Sequence, residues 1–345
     1  LSNLYGRVNW GQNNGDYGSY DQLDEANKCY GSPWVIFTEY DRNSWRVRDY
    51  DFVRRVNLFL QGVRGSSALQ DSEKKAFEGE ARFLVQNGAK ELILIAQDTT
   101  RYGIDLYGEY SLSKLLRRLC KIDGLHWIRV LYCYPDSITD ELLDTMACEE
   151  KIVKYMDIPL QHASGKILRA MNRRGDRESL TSLMKRIREK VPGVILRTTL
   201  TTGFPGETNE DFTELMEFVK EVRFDRLGCF AYSQEEDTPA AELPDQIDED
   251  VKERRAEILM DDQMAIMEAQ GEELLGQTLE VLVEGFDRYA ECWFGRSWRD
   301  APDIDGKVFF TVPEGRRPRL GSFVKVKIHE CMDADLAGEW EGEEG

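Results

Sequence analysis

The chain has 345 residues, 45 Lys plus Arg against 64 Asp plus Glu, and a formal charge of −19. At about 100–200 residues per domain this length implies two or three domains, and a hydrophobic share of 41% excludes a wholly disordered chain. The acidic balance argues against nucleic acid as the main partner, because phosphate contacts need a basic footprint; it suits a basic partner, and plain solubility explains it equally well.

Residues 1–65 differ from the rest: they hold 12 of the 36 aromatics in under a fifth of the length, with Asn/Gly-rich stretches and no sustained helical period. They are left unassigned, except that Trp34 to Thr38 reads as one strand. The start, Leu1 to Asn14, lacks the basic and apolar stretches of a signal peptide. From about Ser72 the pattern changes. Phe77, Ala81, Leu84 and Val85 share a helix face that Asn87-Gly88 ends. Glu91 to Ala96 then reads as a strand buried on both faces. Its apolar run is far too short to span a bilayer, and a soluble cytoplasmic chain is expected.

Strand and helix alternate thereafter. Helices are expected near 110–121, 139–147, 165–171, 177–191 and 209–222, and strands at Trp127 to Cys133, Ile152 to Ile158, Val194 to Thr202 and Arg226 to Tyr232. Five βα units imply a parallel sheet, either a βα barrel or a doubly wound open sheet, over 66–248. A charged helix follows over 249–275, with Val251, Ile258, Leu259, Ile266 and Met267 available for packing and Met260 and Met264 read as core filler. The period then becomes two, and 276–338 reads as a small antiparallel β-barrel, followed by an acidic tail over 339–345.

The unusual polar residues follow successive strands: Gln97-Asp98-Thr99-Thr100, Tyr134-Pro135-Asp136, Gln161-His162, the Gly203 to Glu207 turn, and Tyr232 to Glu236. Ligand sites in parallel βα folds lie at the carboxyl ends of the strands. Each motif also has a plainer explanation. Thr208 with Asp211 reads as a helix cap, making Gly203 to Thr208 only a turn; His162 reads first as a satisfied core histidine; Asp98 reads equally as a cap for the next segment. Arg173-Arg174 reads as a solvated face. Arg197 lies inside an apolar strand, so it must meet a carboxylate, a ligand's being one candidate.

The segments AQDTTRYG (96–103), YPDSITDEL (134–142), DIPLQHASGKILRAMNRRG (157–175), TTGFPGETNEDF (201–212) and RFDRLGCFAYSQEEDTPAAELPDQI (223–247) resemble the radical-SAM methylthiotransferases, and GRSWRDAPDIDG (295–306) resembles their TRAM domain. AQDTT-x-YG and PLQHAS with MNRRG point to the branch that modifies an aspartate of ribosomal protein uS12; the transfer-RNA branch is disfavoured by charge and by these motifs. The resemblance implies an incomplete parallel radical-SAM barrel followed by a TRAM barrel. It also implies S-adenosylmethionine and 4Fe–4S clusters as cofactors, and a monomer acting on a basic small-subunit ribosomal protein. Carried over by motif, Gln97, Asp98, Gln161, Arg197, Gly203, Gly206, Glu207 and Tyr232 would line the cofactor pocket.

One departure is severe. The family's barrel cluster needs C-x-x-x-C-x-x-C, whose place by distance from Arg64-Gly65 is near 50–58, here YDFVRRVNL. The seven cysteines (Cys29, Cys120, Cys133, Cys148, Cys229, Cys292 and Cys331) come no closer than 13 positions and read as reduced thiols, not as a metal ligand set. A frameshifted or mis-joined reading frame is the favoured origin, ahead of a fragment or a cluster-less relative. The expectation is a methylthiotransferase inactive as written, the alternative a non-catalytic protein that binds a ribosomal protein or RNA; whether the chain is itself an enzyme stays open.

Overall fold

The computed structural model describes residues 34–38 and 78–342; the remainder of the segment read above as unlike the family, 1–33 and 39–65, lies outside the described residues. Six strands form one sheet: β1 (Trp34–Thr38), β2 (Glu91–Ile95), β3 (Trp127–Val130), β4 (Ile152–Asp157), β5 (Ile195–Thr202) and β6 (Arg226–Ala231). They pair in sequence order, every pair parallel. The order never reverses, as it must in a doubly wound sheet, so the sheet is of the βα-barrel kind, left open at one side. Its first strand, Trp34–Thr38, comes from ahead of residue 66.

Helices α1 (Leu112–Leu119), α2 (Asp140–Cys148), α3 (Gly165–Ala170), α4 (Arg177–Lys190) and α5 (Asn209–Val222) lie between the strands. Thr139 accepts from the Leu142 amide to start α2, and Asp176 with Ser179 and Thr208 with Asp211 form capping boxes at α4 and α5. These side chains satisfy amide groups that a helix start leaves orphaned. Alternate strand residues face opposite ways. Leu92, Leu94, Ile128, Val130, Leu196 and Leu200 join Leu116, Leu143, Met184 and Phe218 in the helix-side core.

Helix α6 (Glu249–Glu272) leads to a closed five-stranded barrel: β7 (Thr278–Asp287), β8 (Cys292–Ser297), β9 (Val308–Thr311), β10 (Phe323–Met332) and β11 (Asp335–Trp340). It is not antiparallel throughout. The tight β10–β11 turn folds β11 back beside β9, and those two run parallel. The packing stripe of α6 also differs from expectation. Val251 and Met264 are exposed, whereas Lys252, Arg255 and Gln263 are buried with Leu259 and Ile266. Apolar periodicity missed these polar residues because each finds a polar partner: Gln263 donates to the Phe224 carbonyl at 2.9 Å and Arg255 to Glu207 at 2.7 Å, both beneath the helix, while Lys252 pairs with Glu249 on its own helix at 2.8 Å.

The small barrel packs on the inner face of the sheet. Leu282 and Ala301 join Ile93, Trp127, Leu131, Val153, Tyr155 and Ile195 in one buried cluster. Around it runs an ionic seam. Glu91 Oε1 accepts from Arg129 Nε and Oε2 from Arg296, both at 2.7 Å, and Arg296 Nε donates to Glu284 at 2.8 Å. Arg226 pairs with Asp300 at 2.5 Å. Burial acts to raise the Glu91 carboxyl, but Arg296 and Arg129 outweigh it and hold the group below the usual carboxylate range. Such pairs add little net stability, yet losing one partner strands the other charge. Glu91→Gln, which strands Arg129 and leaves Arg296 with Glu284 alone, is expected to lower the unfolding free energy by about 3–5 kcal/mol in urea denaturation; a loss under about 1 kcal/mol would mean that water already reaches the seam.

Candidate functional site

All five strand-end motifs lie along one edge of the sheet, because parallel strands deliver their carboxyl ends to the same side. At the end of β2, Thr99 and Thr100 are buried and stitch the loop to β3. The Thr99 amide donates to the Tyr132 carbonyl at 3.0 Å, and its hydroxyl to the Leu131 carbonyl at 2.6 Å. Thr100 donates to Asp98 at 2.5 Å and accepts from the Tyr134 amide at 3.1 Å. Asp98 therefore braces a turn and makes no side-chain cap to the helical turn that follows. Gln97 is exposed on the rim.

Two bulky residues hold left-handed backbone at adjacent strand ends: Tyr132 with φ 55° after β3 and Gln161 with φ 73° after β4. Such conformations cost roughly 1–3 kcal/mol and persist where the surroundings over-determine them. Gln161 is fixed on β5: its amide donates to the Thr199 carbonyl at 2.8 Å, and its side-chain oxygen accepts from the Thr201 hydroxyl at 2.9 Å. Arg173, expected to be solvated, instead spans this rim. It donates to the Pro159 carbonyl at 2.9 Å and sits 5.2 Å over the Tyr134 ring; Arg174 is the exposed member of the pair.

The Gly203 to Glu207 turn is clamped from behind. Gly203 has φ 73°, and a Cβ there would overlap the stem of Lys252. Glu207 is buried and accepts from the Gly203 amide at 2.8 Å and from Arg255 at 2.7 Å. His162, fully buried, takes the Ser164 amide on Nδ1 at 2.9 Å, so its proton sits on Nε2, 3.4 Å from Glu207. His162 is thus buried as a core histidine, with Nδ1 satisfied and Nε2 without a hydrogen-bond partner, and Glu207 is spent on holding the turn. Gly206 carries φ 81° and its carbonyl accepts from Lys166 at 2.8 Å. Tyr232 packs edge-on against Phe204 at 5.2 Å, with Lys252 Nζ 5.4 Å from its ring centroid. Lys252 and Arg255, which build this side of the site, had no signal in apolar pattern or motif.

Arg197 lies deeper, on the inner face. It meets a carboxylate, as an isolated strand arginine must, but the carboxylate belongs to the protein: Asp157 at 2.7 Å, with Asp305 at 3.7 Å.

Two family profiles match the chain: "Radical SAM superfamily" over residues 64–219 and "TRAM domain" over 275–340. The ribosomal protein uS12 methylthiotransferase RimO of Desulfitobacterium hafniense is 47% identical over 312 residues, covering 87% of this chain and 69% of that protein. The chain belongs to the RimO family. The RimO of Desulforamulus reducens is 50% identical over 281 residues, which is 81% of this chain and 62% of the relative. Among solved structures, coproporphyrinogen III oxidase (HemN) from Escherichia coli, a radical SAM enzyme, superposes with a TM-score of 0.50 at 15% identity, covering 78% and 63% of the two chains. This last likeness concerns the fold alone. The chain spans 62% of the Desulforamulus RimO and 58% of that of Lachnoclostridium phytofermentans.

The RimO family implies an iron–sulfur cluster, and the described residues do not fit one. Among the described residues no three His, Cys, Asp or Glu side chains converge as a metal needs. Cys133 is buried, and burial pushes up the thiols of Cys120, to about 11, and Cys229, to about 12. Ligation requires thiolates gathered at one point; these are separated thiols. No helix among the described residues is long and apolar enough to cross a membrane.

Gly203→Ala tests the clamp. Left-handed backbone costs an alanine roughly 1–2 kcal/mol, and displacing the Lys252 stem adds an overpacking cost of about 1–3 kcal/mol. Urea denaturation should show a loss of at least about 2 kcal/mol from the two costs together; an unchanged midpoint would mean that the turn is free to move.

Proposed function

We propose that this chain is the cofactor-binding and substrate-docking part of a methylthiotransferase that acts on an aspartate of ribosomal protein uS12. The observation that carries this reading is the alignment of the AQDTT, PLQHAS and GFPGET segments along one edge of a RimO-family sheet. In this reading Gln97, Asp98, Gln161 and the backbone of the Gly203 to Gly206 turn line S-adenosylmethionine. The exposed rim side chain and the open amide groups of a glycine turn suit a polar, charged ligand. Glu207, Arg197 and Tyr232 act one layer back. Glu207 fixes the turn through Gly203, Arg255 and His162, Tyr232 backs Phe204, and Arg197 is neutralised by Asp157. Bound S-adenosylmethionine supplies the methyl group and reactive chemistry that no side chain offers. The chain's own residues orient it and shield it from water.

The C-terminal barrel presents the docking surface, and the net charge of −19 suits a basic ribosomal protein of the cytoplasm, met by a monomeric enzyme. A second reading, a non-catalytic binding protein, is favoured by one observation: seven cysteines never closer than 13 positions leave no thiolate set for a cluster.

Two measurements on one preparation separate these readings. Titration of labelled uS12 should give saturable binding that weakens with salt, as steering between opposite charges does; no binding at low salt would overturn both. Anaerobic reconstitution with iron and sulfide should give no 4Fe–4S absorbance. A cluster that does form, with methylthiolation of uS12, would reject the non-catalytic reading and reveal ligands among the residues outside the described region.

A further inference from the structure

The loop after β8, residues 298–307, lies on the inner face, where Ala301 is fully buried beside Tyr155 and Ile195. Asp305 on this loop has a side chain only 3% exposed. Its Oδ2 accepts from the Tyr155 hydroxyl at 2.6 Å and from the Ala301 amide at 2.8 Å, and its Oδ1 lies 3.7 Å from Arg197 Nε. Arg197 passes the contact on. It donates to Asp157 Oδ1 at 2.7 Å, and the other oxygen of Asp157 accepts from the Tyr132 amide at 3.2 Å.

Tyr132 is the tyrosine held at φ 55° on the rim, 42% exposed although large and aromatic. An unbroken line of contacts therefore joins the second domain to strained backbone at the strand-end edge. Both carboxylates in it are buried and the Arg197 side chain is 16% exposed, so its ionic contacts are screened less than in water. Burial also pushes the Asp305 carboxyl up, against the pull of Arg226. The group sits in a low-dielectric place and depends on its neighbours.

We propose that Asp305 is a positioning residue for the strand-end site, supplied by the C-terminal barrel and acting through Arg197 and Asp157 on the backbone of Tyr132. The site is then incomplete without the second domain, and a partner that shifts that domain alters the rim. The proposal rests on reading the edge as the cofactor site, but its test observes backbone alone, so the two can fail separately.

The test is residue-resolved amide hydrogen exchange on the full chain. Asp305→Asn removes the charge facing Arg197, and Tyr155→Phe removes only the phenol contact. The Leu131 amide, which donates to the Leu94 carbonyl at 2.9 Å, is the control one residue away. In Asp305→Asn the Tyr132 amide should exchange about fivefold faster or more while Leu131 is unchanged, and Tyr155→Phe should move Tyr132 in the same direction by less. An unchanged Tyr132, or Tyr132 and Leu131 accelerating together, overturns the proposal, since a merely structural role loosens both. If Asp305→Asn fails to fold, the same comparison in Tyr155→Phe decides.

Discussion

The rest of this structure depends on one constraint: six parallel strands laid down in sequence order. Parallel register sends every strand's carboxyl end to the same edge, so residues more than a hundred positions apart, from Gln97 to Tyr232, need no special folding to become neighbours along it. The helices bury one face of the sheet and the small barrel covers part of the other. Covering both faces is what allows a strand such as β2 to be apolar from Leu92 to Ile95. The price of that arrangement is a seam in which Glu91, Arg129 and Arg296 must be paired without water.

Much of this was legible in the sequence because apolar period and cap residues act locally. The β2 to β6 strands, the Thr208–Asp211 cap and the Trp34–Thr38 strand follow from neighbouring residues alone. Consecutive strand order was not legible, since alternation of strand and helix fits a barrel or a doubly wound sheet equally. Nor was the parallel β9–β11 pair, which depends on how β10 crosses to close the barrel.

The site was legible in part. Motif position located the edge, but not which side chains face it. Glu207, expected to line the cofactor pocket, proves to be part of a buried brace with His162, because Arg255 arrives from a helix almost fifty residues later. Arg197 advertised its need for a carboxylate, and the sequence offered no means of telling Asp157 from a ligand. Lys252 and Arg255 were hidden for the opposite reason: charged residues on a charged helix look solvated until the Gly203 turn and Glu207 are placed beneath them. The cysteine spacing needed no structure at all, and it is the feature that separates this chain from the chemistry its relatives are named for.

The central claim, that the strand-end edge is a single ligand site, is tested most directly by a hydrogen-exchange footprint of the chain with and without S-adenosylhomocysteine. The account predicts protection confined to 97–100, 161 and 203–206, three segments of distant sequence slowing together. Protection at only one of them, or on the outer helices in their place, would contradict it.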